Sequence, residues 1–315
     1  MDGKLLQYQL NKILNEGETS SFIDTRTSYD YLYQAACELS RLLQTLTGTQ
    51  TITTVAGQTT YDINADYYCQ YIHDTESKFF VTFDNGSDDD SNMYFRDAAA
   101  LLGDGITDTR TVLNTYTIMT ADLPDRVTGT ATESSEAEHG QATLTDSAAD
   151  FSDVEAGDLV YNVDDESSGV VLAKVSDTAL TTALFGGSLR DGDVKNGWWD
   201  SDEYYIHPQS RKQMVLGEIP YAAGYEITLN YIKKPAPVYS DIGRYNFDQT
   251  FTAALTKYAS FLYKFRDAEP NFASNFLAMW EREVRLARAH EDRTLNRKGY
   301  RVNFKKRSSG DRSYR

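Results

Sequence analysis

The sequence predicts an α+β protein in which an α-helical bundle is built from the N- and C-terminal helices. A β-rich middle, an inserted acidic β-domain and an extended C-terminal arm complete the expectation. Three observations point there. Helical periodicity is confined to the two ends of the chain. Between them run β-branched and aromatic residues. From roughly residue 127 to 196 the composition turns acidic and small, with short apolar runs every 8 to 12 residues. The expected division is therefore a core of 1–126 and 197–293, an insert of 127–196, and an arm of 294–315.

In chain order, LLQYQLNKILNE puts Leu6, Leu10, Ile13 and Leu14 on one stripe, a short amphipathic helix. In SSFIDTRTSYDYLYQAACELSRLLQTLTG, residues Tyr29, Leu32, Ala36, Leu39, Leu43 and Leu46 recur at steps of three and four. Gly48 stands where a helix stop belongs. TITTVAGQTTYDI reads as two short strands around Ala-Gly-Gln, a hairpin signal. YYCQYIHD and KFFVTF continue the strand composition up to the acidic turn DNGSDDDSN, RDAAALLGDGI reads as a short helix, and TRTVLNTYTIMT returns to β-branched residues.

The runs QATLT, DLVYNV, GVVLAKV and ALTTALF then mark a small, acidic, exposed all-β unit. After it, WWDSDEYYIHP and GYEITLNYIKKPAPVYSD read as strands of the core resuming. Tyr225, Ile227, Leu229 and Tyr231 alternate with polar residues, which gives one buried face. Phe247, Phe251, Leu255, Tyr258, Leu262 and Phe265 fall at helical steps. Pro270 opens a last helix with a stripe of Phe272, Phe276, Trp280, Val284 and Ala287.

At 315 residues the chain is long enough for a sizeable core without staples. No run of 18 apolar residues and no signal-peptide pattern occur, so a soluble, cytoplasmically made protein is expected, with no membrane partner. Cys37 and Cys69 lack a CxxC spacing and read as two reduced thiols. Catalytic signatures are wanting. The four histidines, His73, His139, His207 and His290, form no HxxxH or HExxH pair, and no GxSxG, GxxxxGK[ST] or GxGxxG motif occurs. Gly186-Gly187-Ser188 reads as a turn. The expectation is a non-enzyme with no cofactor and no metal, although a hydrolase using a carboxylate pair stays as a minor alternative.

Two constellations merit weighing against plainer explanations. DNGSDDDSN gathers Asp84, Asn85, Asp88, Asp89, Asp90 and Asn92, hard oxygen donors suited to Ca²⁺, but its register differs from the EF-hand loop, and a solvated turn is preferred. Trp198, Trp199, Tyr204 and Tyr205 offer a stacking platform for sugars or bases. Packing at a domain junction is the preferred account.

The chain ends RKGYRVNFKKRSSGDRSYR. Eight Lys or Arg stand there against Asp311 alone, a local charge of +7 on a protein of net charge −16, which leaves −23 on the rest. Such a tail reads as a loose solvated end, a nucleic-acid arm, or an arm that orders on a partner protein. The interleaved Tyr300, Val302, Phe304 and Tyr314 favour the last, since a purely electrostatic tail needs no apolar anchors.

The segments AGQTTYDI, EITLNYIKKPAPVYSD and FTAALTKYASFLYKFRDAEPNFASNFLAMWEREVRLA, in this order, resemble the head-tail adaptor (connector) proteins of tailed bacteriophages. ATLTDSAADFSDVEAGDLVYN is similar to β-inserts of phage structural proteins. The resemblance implies a virion protein of the head-tail neck, assembled in the host cytoplasm as a dodecameric ring beneath the portal. Genomic double-stranded DNA would pass through its channel without specific binding, and tail or neck proteins would lie below. It also implies a portal-binding arm carried by Arg297, Lys298, Tyr300, Arg301, Phe304, Lys305, Lys306, Arg307 and Tyr314. The alternative is a tail-fibre or baseplate component that contacts glycan through the four aromatics.

Overall fold

The computed structural model describes residues 2–14, 23–44, 46–70, 81–86, 91–103, 105–188, 196–267 and 269–295, and their side chains except at 70, 249, 288 and 290–295. The helical bundle expected as the framework is overturned. Strands in four sheets carry the architecture of the described residues, and the helices form a layer on one flank.

That layer begins with α1 (Gly3–Leu14) and α2 (Thr25–Leu43). Asp24 caps α2 by accepting a hydrogen bond from the Thr27 amide at 2.6 Å. Gln44, in the left-handed region, ends it. Gly48 is therefore not the helix stop. It lies in strand β1 (Thr47–Thr53) opposite Tyr231, whose ring leaves no room: a Cβ at residue 48 would sit 2.7 Å from it.

Strands β2 (Thr60–Ile63), β3 (Tyr67–Gln70), β4 (Val81–Asp84), β5 (Ser91–Asn92) and β6 (Tyr94–Phe95) follow. Helix α3 (Ala98–Gly103), β7 (Thr109–Arg110) and β8 (Thr115–Thr120) complete this stretch. After the acidic unit come β15 (Lys212–Leu216), β16 (Ile219–Pro220) and β17 (Glu226–Lys233). The strand β17 has the alternation read from its sequence and is central to a sheet. It pairs with β1 along one edge and with β4 and β3 along the other.

The expected hairpin across Ala56-Gly57-Gln58 does not form. Its two arms part into different sheets, β1 on β17 and β2 on β15. The turn between them is held instead by the Tyr61 hydroxyl, which donates to the Gln58 carbonyl at 2.9 Å. The sheet β2-β15-β8-β6 faces the β17 sheet, and both bury one core containing Phe83, Tyr116, Met214, Leu216, Ile227, Leu229 and Tyr231.

The acidic stretch forms a six-stranded antiparallel sheet from β9 (Val127–Thr130), β10 (Ala142–Thr145), β11 (Leu159–Asn162), β12 (Ser167–Ser176), β13 (Ala179–Phe185) and β14 (Glu203–His207), in the order β10-β13-β12-β11-β14-β9. Tyr204 and Ile206, read as core strand resuming, thus lie in this sheet, because β14 fills the gap between β11 and β9. Strand alternation gives the sheet two faces. Leu144, Val160, Val171, Leu180, Leu184 and Ile206 close one over Phe151, Val154 and Trp198. Leu159, Val170, Leu172, Ala183 and Phe185 point the other way into the helical layer, so the unit is not freely exposed.

Two final helices complete the layer, α4 (Thr252–Arg266), entered through a 3₁₀ turn at Gln249–Phe251, and α5 (Pro270–Leu295). The stripes of α1, α2, α4 and α5 meet Tyr239, Tyr245 and the back of the sheet in one shared core. This is the physical reason a bundle alone does not form: each helix has an apolar face to bury, and the sheet supplies much of the covering surface.

Candidate interaction surface

The expected arm follows α5. All nine of its named residues, Arg297 to Tyr314, lie outside the described residues, which end at Leu295. The helix that leads to it is described. At its start the Lys264 ammonium bridges to Glu269 at 2.9 Å, which ties the end of α4 to the start of α5. Along its length Ala273, Trp280, Val284 and Ala287 are buried. Trp280 packs against Tyr258 with ring centroids 4.7 Å apart. Its indole N–H has no hydrogen-bond partner among the described residues and borders a cleft of about 350 Å³ lined by Leu42, Glu281, Val284 and Arg285. Phe272, placed on this stripe from sequence, instead faces solvent. A helix advances about 100° per residue, so 272 and 273 start separate seams.

The four aromatics proposed as a glycan platform do not share a surface. Trp198 and Tyr204 are buried inside the six-stranded unit. The Trp198 indole donates to Thr182 Oγ1 at 2.9 Å and the Tyr204 hydroxyl donates to Asp146 Oδ2 at 2.7 Å. Burial, the bond to Asp146 and its charge push the Tyr204 phenol far above its usual range. Tyr205, one residue on, points to the opposite face and stacks on Tyr161 with centroids 4.6 Å apart. His207 stands edge-on to both, and the Arg126 guanidinium lies over the Tyr205 ring. The rings of this outer cluster are thus largely spent on one another.

In the acidic turn, the Asp84 carboxylate accepts a hydrogen bond from the Gly86 amide at 2.6 Å. Ser91 and Asn92 pair with β4, and Asp88, Asp89 and Asp90 lie outside the described residues. Among the described residues no group of three or more His, Cys, Asp or Glu is placed to hold a metal ion. His139 occupies an exposed turn with a left-handed backbone. His73 and the side chain of His290 are outside the described residues. Cys37 and Cys69 are free thiols, and burial pushes Cys37 up to about 11, so it is protonated and unreactive at neutral pH.

Two features had no sequence signal. A buried ion pair joins Arg211 to Asp158 bidentately, at 3.0 and 2.7 Å. Arg211 also reaches the Asp153 carbonyl, and Asp158 accepts the amides of Glu155 and Gln209. It fastens the six-stranded unit to the head of β15, beside a cleft of about 350 Å³ that Gln50, Asp62, Asp122 and Lys212 also line. The second is a tyrosine cluster: Tyr29 and Tyr33 of α2 pack on Tyr239, and Tyr29 donates to Asp241 at 3.2 Å. The Asp241 amide in turn donates to the His139 carbonyl at 3.0 Å, so one segment links α2 to the six-stranded unit. Both pairings join residues far apart in the chain, which spacing cannot reveal. Compared with known proteins, the chain matches no family model and no curated protein.

Proposed function

We propose that the chain is a structural protein of a bacteriophage head-tail neck, an adaptor that stacks as a dodecameric ring beneath the portal and continues the DNA channel toward the tail. The carrying observation is the charge division: +7 on the last nineteen residues against −23 on all that precedes them. A basic, aromatic-studded segment on an acidic body suits docking to an acidic partner, where charge steers the encounter and Tyr300, Phe304 and Tyr314 supply anchors. Repetition around a ring multiplies a weak arm contact by avidity. An acidic body also repels phosphates, which suits a conduit that DNA must leave.

Helix α5, the last described element before the arm, shares one apolar core with α1, α2 and α4, which supports the reading. No described helix is long and apolar enough to cross a membrane.

The test is negative-stain imaging of the portal protein from the same genome mixed with either the full chain or a chain ending at Leu295. A second ring stacked on the portal with the full chain, and none with the shortened one, is the expected result. If the full chain adds no density to the portal, the adaptor reading fails. If both versions stack, the arm is not the docking element.

A further inference from the structure

Helix α5 carries a second apolar seam besides the buried one. Phe272, Met279 and Leu286 recur at steps of seven and are 60 %, 48 % and 54 % exposed. The half-buried Phe276 and Glu283 lie between them, which completes a three-four spacing. At 100° per residue these five positions fall within a stripe about 80° wide, centred about 100° around the helix from the seam of Trp280 and Val284. A stripe with that spacing meets another helix as knobs into holes.

We propose that this seam pairs with the same seam of a second copy of the chain, antiparallel, across a two-fold axis at Met279. The sequence of the seam is self-complementary in that direction. Reversal about residue 279 sets Phe272 against the partner copy's 286 position, a leucine, and Asn275 against position 283, whose carboxylate accepts from the amide. It sets Phe276, whose ring already lies under the Lys257 ammonium of α4 at 5.5 Å, against position 282, an exposed arginine. The parallel alternative sets Glu283 on Glu283 inside the seam, a repulsive contact that disfavours it. In a two-fold interface each such contact occurs twice.

Four apolar side chains per copy fall short of the standard interface of about 800 Å² per partner, so the pairing is weak and concentration-dependent. It uses neither the arm nor an acidic partner, and because a two-fold pair points its two arms in opposite directions it is a pairing of the chain off the portal.

Sedimentation velocity over a concentration series of the full chain, and of the chain ending at Leu295, reads the pairing directly. Both should shift from monomer to dimer at the same concentration. Met279→Arg and Met279→Glu should each weaken association by more than about tenfold, because like charges then meet at the axis. An equimolar mixture of the two should restore it. Val175→Arg, an exposed apolar position on the six-stranded unit, should change nothing. The proposal is overturned if the wild-type chain stays monomeric throughout, or if the mixture fails to restore what the single variants lose. It is equally overturned if only the shortened chain pairs, since the tail would then be the seam's own occupant.

Discussion

The two faces of the six-stranded sheet are built from the same strands, yet they do different things. The inner face is closed within the unit: Trp198 and Tyr204 each bury a ring and give their one donor to a buried acceptor, Thr182 or Asp146. Among the described residues, the outer face has no lid from within the unit. One of its cross-strand rows runs from Phe185 through Ser168 and Tyr161 to Tyr205. At the Phe185 end the helical layer covers it, with Tyr29 at 6.4 Å. At the middle, Arg26 of α2 reaches the Ser168 hydroxyl. At the Tyr205 end, the Arg126 guanidinium lies over the Tyr205 ring. All four positions are half-buried, but what the rest of the chain lays over them changes along the row. That change should appear as graded stability.

Trp198→Ala is expected to cost the most, about 3–5 kcal/mol, since it opens a cavity and strips the donor from buried Thr182. Urea unfolding followed by tryptophan-independent far-UV circular dichroism measures it, and a loss below about 1 kcal/mol would remove Trp198 from the role of plug. Phe185→Ala, at the covered end of the outer row, should cost about 2–3 kcal/mol. That is less than a fully buried Phe because the ring is only half enclosed. It should also loosen α2, visible as faster amide exchange there. An unchanged α2 would mean the sheet and helices are not coupled through this ring.

Tyr204→Phe leaves the cavity filled but takes from Asp146 the donor to its Oδ2, leaving the Ala148 amide on Oδ1, an expected cost of about 1–3 kcal/mol. Its pH dependence has a definite sign. The phenol is raised in the folded state and near 10 in the unfolded chain, so its contribution is fully present below pH 10 and is lost as pH rises above that. Tyr116 in the other β-core, pushed up to about 12 by burial, acts in the same direction. Alkaline unfolding monitored at the tyrosinate absorbance should begin above pH 10 and start later in a Tyr204→Phe, Tyr116→Phe double variant once its lower baseline stability is subtracted. Smallest is Tyr205→Ala, about 0.2–1 kcal/mol for one cross-strand pair. A loss as large as that of Trp198→Ala would mean the open end of the row is not open.

Adjacent residues make the limit of sequence reading plain. Trp198-Trp199 and Tyr204-Tyr205 look equivalent as aromatic pairs, but alternation along β14 sends 204 inward and 205 outward. The sign of that alternation depends on which partner strands β14 finds. The same holds on α5, where both Phe272 and Trp280 fit a loose stripe and the neighbouring helix selects the seam of Ala273, Trp280, Val284 and Ala287.

The sequence by itself determined what local physics determines. It set the helix stripes of α1 and α2, the break at Pro270, the alternation of β17, the strand-and-turn rhythm of the acidic stretch and the charge contrast of the tail. These depend on neighbours within a few residues, through backbone periodicity and turn chemistry. Only the tertiary structure decided that the sheets and not the helices are the framework, that the arms of the expected hairpin go to separate sheets, and that Arg211 finds Asp158. Those outcomes rest on contacts between residues tens to hundreds of positions apart. Each apolar face needs some cover, and several candidate covers of equal hydrophobicity satisfy the sequence equally well.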